Sequence, residues 1–398
     1  MSDGFEKRIK RQVIGRKHSF FAVVQPGFED TARRELTALG IEEFTETVPG
    51  GFEFSCRLER CYRANLASRT ITRILMRLFS LKATNFRDLR KKVEALPWEL
   101  HLADGATVAF HTSCTRSRLY HEGAVEEELG RAIGSRLSTH GIRVDFPDDG
   151  AMQEIHVRLQ DDVCQMSLDT SGGPLYRRGR KPFAASATLR ETLAASILME
   201  AGWPGFDVLI DPMCGAGTFT LEALEMMSGR IPNLDREFPF ERWPAFRPAA
   251  FAHLKKQMSS EARAVVPGGR ILAFDLDPEA VDTTKKNLDA SGLPAERVSV
   301  DTGDFLDLLT LPGFDEIPED ARCLLVLNPP YGKRLRQGST KQVYRRIGEA
   351  IRDNYRGAYA IIVPGLEIEK ALSLPRDRKI LFRNGGLRVA AIFKDEEA

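Results

Sequence analysis

Asn328-Pro329-Pro330-Tyr331 closes the apolar run 324–327. Prolines have no N–H, so a loop built on Pro329 and Pro330 offers carbonyl acceptors and few donors. The Asn328 amide oxygen adds another acceptor. Such a set suits a substrate that carries N–H donors, for example the exocyclic amine of a base. Tyr331 offers a flat face for that base, a contact worth roughly 1–3 kcal/mol. An exocyclic amine is a poor nucleophile because its lone pair is delocalised into the ring. The Asn328 side chain and the Pro329 carbonyl could hold its two hydrogens and turn the lone pair toward an electrophile. Orientation and proximity would then carry much of the rate, with no strong base or metal required. Two prolines after a strand are by themselves an ordinary loop stop. The four residues together at a strand end point to amine chemistry.

Three more strand ends carry residues of this kind. DVLID leads into Asp211-Pro212-Met213-Cys214-Gly215-Ala216-Gly217-Thr218-Phe219. Gly215 and Gly217 let the backbone turn tightly and approach a ligand. The helix that begins there points its first amides at the same place. A GxG turn is common among nucleotide enzymes, but Asp211 would repel a pyrophosphate and suits a positively charged ligand. S-adenosylmethionine carries a sulfonium and an ammonium and no phosphate, and its methyl group is already activated for transfer. RILAFD ends in Asp275, placed to accept from two ribose hydroxyls. Asp277 suits the cap of a helix opened by Pro278. RVSV leads to Gly303-Asp304-Phe305, where Asp304 could accept from the adenine amine and Phe305 could cover the ring.

These positions require a doubly wound α/β sheet, since such sheets bind ligands at the carboxyl ends of their strands. DVLID, RILAFD, RVSV, CLLVLN and AYAIIV are short, apolar and β-rich, and helical patterns lie between most of them. The N-terminal half reads differently. SFFAVVQPGF is a strand, TARRELTAL a helix capped by Asp30 and stopped by Gly40, and IEEFTETV and GGFEFSCRL are strands around a Pro-Gly-Gly turn. LERCYRANLASRTITRILMRL follows as one long helical pattern. This order suggests a small α+β unit of ferredoxin-like type. A second α+β unit contains the helix NFRDLRKKVEAL, the strand ATVAFHTSC, a helix ended by Gly141, and the paired strands EIHVRLQDD and VCQMSLDTSG. A basic, Gly-rich link between Gly172 and Pro182 marks the boundary with the α/β half.

The chain has 398 residues and a net charge of +1. No apolar run has the length of a membrane span, and MSDGFEKRIKRQ has no apolar core behind its charges. Neither a membrane protein nor a secretory leader is expected. The six cysteines form no CxxC pair and lie apart from the seven histidines, which argues against a zinc site and a disulfide framework. The expected compartment is a reducing cytoplasm. Basic residues gather in three stripes. Eleven Lys/Arg face two acids from 57 to 92, and the stretches 177–190 and 333–346 contain five and six with no acid. Basic stripes on a neutral chain are compatible with a nucleic-acid partner and equally with solvated helix faces.

DPMCGAGTF, FDLD, GDF and NPPYG, in this order, resemble an amino-methylating class I S-adenosylmethionine-dependent methyltransferase. FFAVVQPGFEDTARREL and CYRANLASRT are similar to the N-terminal ferredoxin-like and THUMP modules of bacterial 23S ribosomal RNA guanine-N2 methyltransferases. SRLYHEGAVEEEL, LYRRGRKPFAASATLRETLAASIL and IPNLDREFPFERWPAF resemble that group too. The likeness runs from about Ser19 to Phe393.

It implies three domains: a ferredoxin-like domain over 1–75, a THUMP RNA-binding domain over 76–172, and a Rossmann-like methyltransferase domain over 173–398. The last should have a mostly parallel sheet with one antiparallel strand, LRVAAIF. The implied product is N2-methylguanosine in large-subunit RNA, formed by direct transfer to a flipped-out base. Asn328, Pro329, Pro330 and Tyr331 would carry the reaction. Asp211, Met213, Cys214, Gly215, Gly217, Thr218, Asp275, Asp304, Phe305 and Asn328 would hold the cofactor, with no metal. Arg177, Arg178, Arg180 and Lys181 on the link, and Lys333 and Arg334 beside the catalytic loop, are the expected RNA contacts. Structured RNA, either 23S rRNA or a large-subunit precursor, is the expected partner, with no obligate protein partner. A second methyltransferase domain, present in some relatives, is not expected here. A tRNA guanine-N2 enzyme, a DNA adenine-N6 enzyme and a non-catalytic RNA-binding assembly factor are the competing readings.

Overall fold

A computed structural model describes residues 3–183, 188–264, 269–331 and 337–396. They form two compact units. One comprises 1–23, 36–175 and 233–255, and the other 24–35, 176–232 and 256–398.

The first unit is built on one eight-stranded sheet. Its strands are β1 (His18–Val24), β2 (Glu43–Val48), β3 (Gly51–Cys56), β4 (Ile71–Lys82), β5 (Ala106–Thr115), β6 (Val144–Asp145), β7 (Gln153–Gln160) and β8 (Val163–Asp169), in the order β2-β3-β1-β4-β8-β7-β5-β6. Both expected α+β units thus share a sheet, and a domain boundary at 75/76 falls within β4. The long helix expected from Leu58 is corrected. It ends at Ala67, and Ile71–Lys82 is a strand paired antiparallel with β8. Ser68 is extended (φ −66°, ψ 132°) and its hydroxyl accepts from the Ile71 amide at 3.2 Å, which redirects the chain. The β-branched Thr70, Ile71, Thr72 and Ile74 then favour a pleated strand. Asp30 is also corrected, from cap to first-turn residue, because the helix is Glu29–Ala38.

The second unit is doubly wound. Its strands are β9 (Val208–Asp211), β10 (Arg270–Asp275), β11 (Val298–Thr302), β12 (Cys323–Leu327), β13 (Ala358–Val363), β14 (Arg378–Asn384) and β15 (Leu387–Lys394), in the order β11-β10-β9-β12-β13-β15-β14. The neighbours from β11 to β13 are parallel, and β15 runs antiparallel to both β13 and β14. This is the expected topology, with LRVAAIF as the reversed strand. The strand order reverses around β9, with β10 on one side and β12 on the other, which opens a crevice beyond their carboxyl ends. Both faces are covered. Leu324 and Val326 pack into one buried cluster with Leu224 and Ile271, while Leu325 and Leu327 pack into another with Phe274 and Tyr344.

Each unit includes a short segment from a distant part of the chain. Phe28 packs edge-on against Phe382 at 5.6 Å, and Thr31 donates to Glu200 at 2.6 Å. The aromatic residues of the segment 231–246 pack within the first unit. Phe240 stacks on Tyr62 at 4.2 Å, and Trp243 donates its indole N–H to Gln153 at 2.8 Å.

One close approach in the second unit makes a sharp stability prediction. A Cβ at Gly348, in the helix Gln337–Asn354, would stand 1.8 Å from the Leu372 carbonyl oxygen. Gly348→Ala is expected to lower stability by about 1–3 kcal/mol. The overlap with backbone outweighs alanine's helix-propensity gain of about 1 kcal/mol. A drop in thermal midpoint checks this, and an unchanged or raised midpoint would contradict it.

Candidate active site

A cavity of about 720 Å³ opens at the carboxyl ends of β9 to β12. That size falls within the usual range for small-molecule sites.

Its floor is the loop after β9. Gly215 and Gly217 adopt left-handed φ values of 56° and 76°, and Gly217 caps the helix Thr218–Met227. The loop is pinned from several sides. Cys214 N–H donates to the Phe274 carbonyl at 2.8 Å, and Gly215 N–H donates to Asp275 Oδ2 at 2.9 Å. Thr284 donates to the Gly215 carbonyl at 2.8 Å, and Asn287 donates to the Ala216 carbonyl at 3.1 Å. Thr284 and Asn287 are fully buried on the helix Pro278–Ser291. Sequence reasoning missed both. The available signal was two polar residues three apart on the stripe otherwise formed by Val281, Leu288 and Ser291.

Of the expected cofactor residues, Met213, Cys214, Gly215, Thr218, Asp275, Asp304, Phe305 and Asn328 all line this cavity. Asp275 Oδ1 also accepts from Asp277 N–H at 3.0 Å, so both its oxygens brace backbone while facing the cavity. Asp277 lines it too, and caps its helix as expected by accepting from Glu279 N–H at 2.9 Å. Asp304 Oδ1 accepts from Leu306 N–H at 2.9 Å. Phe305 is 2% exposed and belongs to the core as well as to the wall.

Asp211 and Gly217 are absent from the described lining. Asp211 is 1% exposed and accepts from the Thr220 hydroxyl at 2.8 Å, so its direct-ligand role is replaced by support from beneath. Its other oxygen is buried without a hydrogen-bond partner among the described residues. Burial raises the Asp211 pKa to about 7 against the Thr220 bond, with nearby Asp275 adding to the rise. The folded state therefore holds a proton that the unfolded chain releases near the ordinary carboxylate value. The stabilising contribution is complete below that value and is lost as pH rises through about 7. Asp211→Asn is expected to flatten this loss, giving a smaller fall in thermal midpoint between about pH 5 and pH 8 than the parent chain shows. Equal falls in both proteins would disprove the assignment.

At the end of β12, Asn328 and Pro330 line the cavity, and Pro329 between them is buried and absent from the described lining. Asn328 Oδ1 is buried and has no hydrogen-bond partner among the described residues. Tyr331 is outside the described lining, and its hydroxyl accepts from Asn384 Nδ2 at 2.6 Å. The expected stacking face is thus tethered to β14.

Residues 178–390 match the family described as RMKL-like, methyltransferase domain. The chain belongs to that family. Residues 19–75 match the RlmL ferredoxin-like domain and residues 83–169 the THUMP domain. The "Ribosomal RNA large subunit methyltransferase K/L" of Methylococcus capsulatus is 34% identical over 385 residues, covering 92% of this chain and 50% of the relative. The chain thus spans about half the length of the K/L members it matches. A "Putative RNA methyltransferase" of Synechocystis sp. is 30% identical over 92% of this chain and 94% of its own length. A putative methyltransferase solved in complex with SAH superposes with a TM-score of 0.85 at 25% identity, covering 96% of this chain and 99% of that one. A possible methylase from Clostridium difficile 630 gives 0.84 at 25% identity, with the same coverage of both chains.

The basic link is less exposed than its composition suggests. Arg177 is exposed. Arg178 has a side chain only 2% exposed and donates to Glu222 at 2.6 Å and Glu225 at 3.0 Å. Arg180 pairs with Glu225 and donates to the Pro232 carbonyl. Lys181 donates to Thr218 at 2.9 Å and the Leu189 carbonyl at 3.2 Å, with its side chain 7% exposed. The expectation that Arg178, Arg180 and Lys181 touch RNA is therefore corrected, because acids and carbonyls of the second unit already engage their charges. Lys333 and Arg334 lie outside the described residues.

Proposed function

We propose that the chain methylates N2 of a guanine in large-subunit ribosomal RNA, using S-adenosylmethionine as donor. The observation that carries the reading is the buried Asn328 Oδ1 on the wall of the cavity, without a partner among the described residues. A buried acceptor without a partner costs about 1–3 kcal/mol. A substrate N–H relieves that cost at the same moment as it is positioned.

The cavity's chemistry fits the donor. Among the described residues, Asp275, Asp277, Glu279 and Asp304 line it against one cation, Arg346. Such a wall favours a ligand with positive charge and hydroxyl donors over one with phosphates. When bound, S-adenosylmethionine supplies a methyl group activated by its sulfonium. The chain's own residues do the rest. Asn328 Oδ1 accepts one hydrogen of the guanine amine, and the Pro329 carbonyl is assigned the other. Together they turn the nitrogen lone pair away from the ring plane and toward the donor. The Tyr331 ring, fixed through Asn384, is assigned to stacking against the base. The target guanine leaves its stack to reach the site.

The choice of RNA is supported by the THUMP match and by the names of the K/L relatives. Double-stranded RNA is read mainly through shape and backbone. Arg177, Lys333 and Arg334 are the proposed contacts that remain from the sequence reading. The test is transfer of a labelled methyl group to unmodified large-subunit RNA, bulk tRNA and duplex DNA in parallel, followed by nucleoside mass analysis. N2-methylguanosine in ribosomal RNA alone is expected. The same nucleoside in tRNA would overturn the substrate, methyladenine in DNA would overturn the base, and no transfer would overturn the reaction.

A further inference from the structure

In the first unit, β5 and β7 run parallel, and His111 stands directly opposite His156. Glu154 precedes His156 by two residues, so it emerges on the same face of the sheet. His111 Nε2 is 3.2 Å from Glu154 Oε2, and His156 Nε2 is 3.6 Å from the same oxygen. The two imidazole centroids are 4.9 Å apart, and one ligand atom from each of the three residues lies within 4.8 Å of the others. Donors held at about 2.0–2.1 Å by one tetrahedral ion stand about 3.3 Å from each other. Two edges of this triangle are therefore close to that spacing before any ion enters.

We propose that His111, Glu154 and His156 form a binding site for one Zn²⁺ ion, with water in the fourth position. Two imidazoles and one carboxylate are a donor set that zinc accepts readily. Rigid neighbouring strands hold the donors, and the exposed His111 leaves an entry from solvent. None of the three residues lines the cavity of the second unit.

Arg73 is the competitor for the same oxygen. Its Nη1 donates to Glu154 Oε2 at 2.6 Å and lies 3.4 Å from His156 Nε2. It is also bonded to the buried Asp169. Zinc entry requires the guanidinium to settle on Asp169, an acid already within its reach. The spacing of cysteines and histidines along the chain argued against zinc, because β-sheet register pairs residues that are far apart in sequence.

The test uses the full chain, stripped with a chelator and desalted, then titrated with Zn²⁺ by calorimetry and with Co²⁺ by visible absorption. One equivalent should bind with micromolar affinity, and Co²⁺ should give tetrahedral d–d bands. His111→Ala and His156→Gln should each weaken binding about tenfold or more, whereas Cys114→Ser on the same strand should leave it unchanged. Zn²⁺ should raise the thermal midpoint of the parent chain and leave that of His111→Ala unmoved. No binding by the parent chain would show that Arg73 occupies the position instead. Undiminished binding in folded His111→Ala, or loss in Cys114→Ser, would equally overturn the site.

Discussion

Asn328→Ala is expected to slow methyl transfer by about 10²–10³-fold, the effect of deleting one preorganised hydrogen-bonding group from a reaction centre. Affinity for the cofactor product SAH should change only a few-fold, because the loop after β9 and the acids after β10 and β11 remain in place. Single-turnover transfer and calorimetric SAH binding separate the two effects. Asn328→Asp keeps an acceptor at the same point and should retain more activity than Ala. The buried Oδ1, without a partner among the described residues, makes this more than a motif argument, because both its lone pairs are open to an amine. Full activity in Asn328→Ala would sink the mechanism while leaving the family assignment intact.

The second large effect concerns stability. Arg178→Met should destabilise the chain by about 3–5 kcal/mol, the usual cost of removing one partner from a buried ion pair. The Glu222 and Glu225 side chains are only 5% and 3% exposed, and Glu225 would keep its pair with Arg180. Adding Glu222→Gln to Arg178→Met should recover part of the loss. Arg177→Ala, one residue earlier and exposed, should leave stability nearly unchanged. Chemical denaturation of the three variants checks the contrast. If Arg178→Met keeps its stability and loses only RNA affinity, the buried-pair account fails.

The difference between these two arginines shows what could be read along the chain. Both sit in a five-cation stretch without an acid, so local composition presents them as one surface stripe. The acids that claim Arg178 lie on the helix after β9, and only the fold brings them close. The loops that line the cavity were legible for the opposite reason. Each follows a short apolar strand, and a parallel sheet gathers its strand ends at one edge, so motif order was enough to group them. The positions of Pro329 and Tyr331 relative to the cavity depend on the path of a proline-rich loop, which periodicity does not describe.

β4 misled in another way. Ile71, Ile74, Leu75 and Leu78 fall at helical spacing, as do Arg73 and Arg77. The strand carries a register shift between Arg77 and Phe79 against β8, which breaks the alternation that would have revealed it. Ser68 and the β-branched run that follows it were the local hints that the helix had stopped.

Neither unit is encoded by an uninterrupted stretch of chain. During synthesis, the tyrosine pocket that receives Phe240 exists before Phe240 does, and the last of that segment emerges roughly 80 residues after Leu175. At about 5–20 residues per second, the first unit waits about 4–16 s for its own completion. Phe28 waits longer still, for Phe382. A nascent chain of this design therefore exposes unfilled aromatic surface on the ribosome, and its yield in cells should depend on elongation rate and on chaperones that shield that surface in the interval.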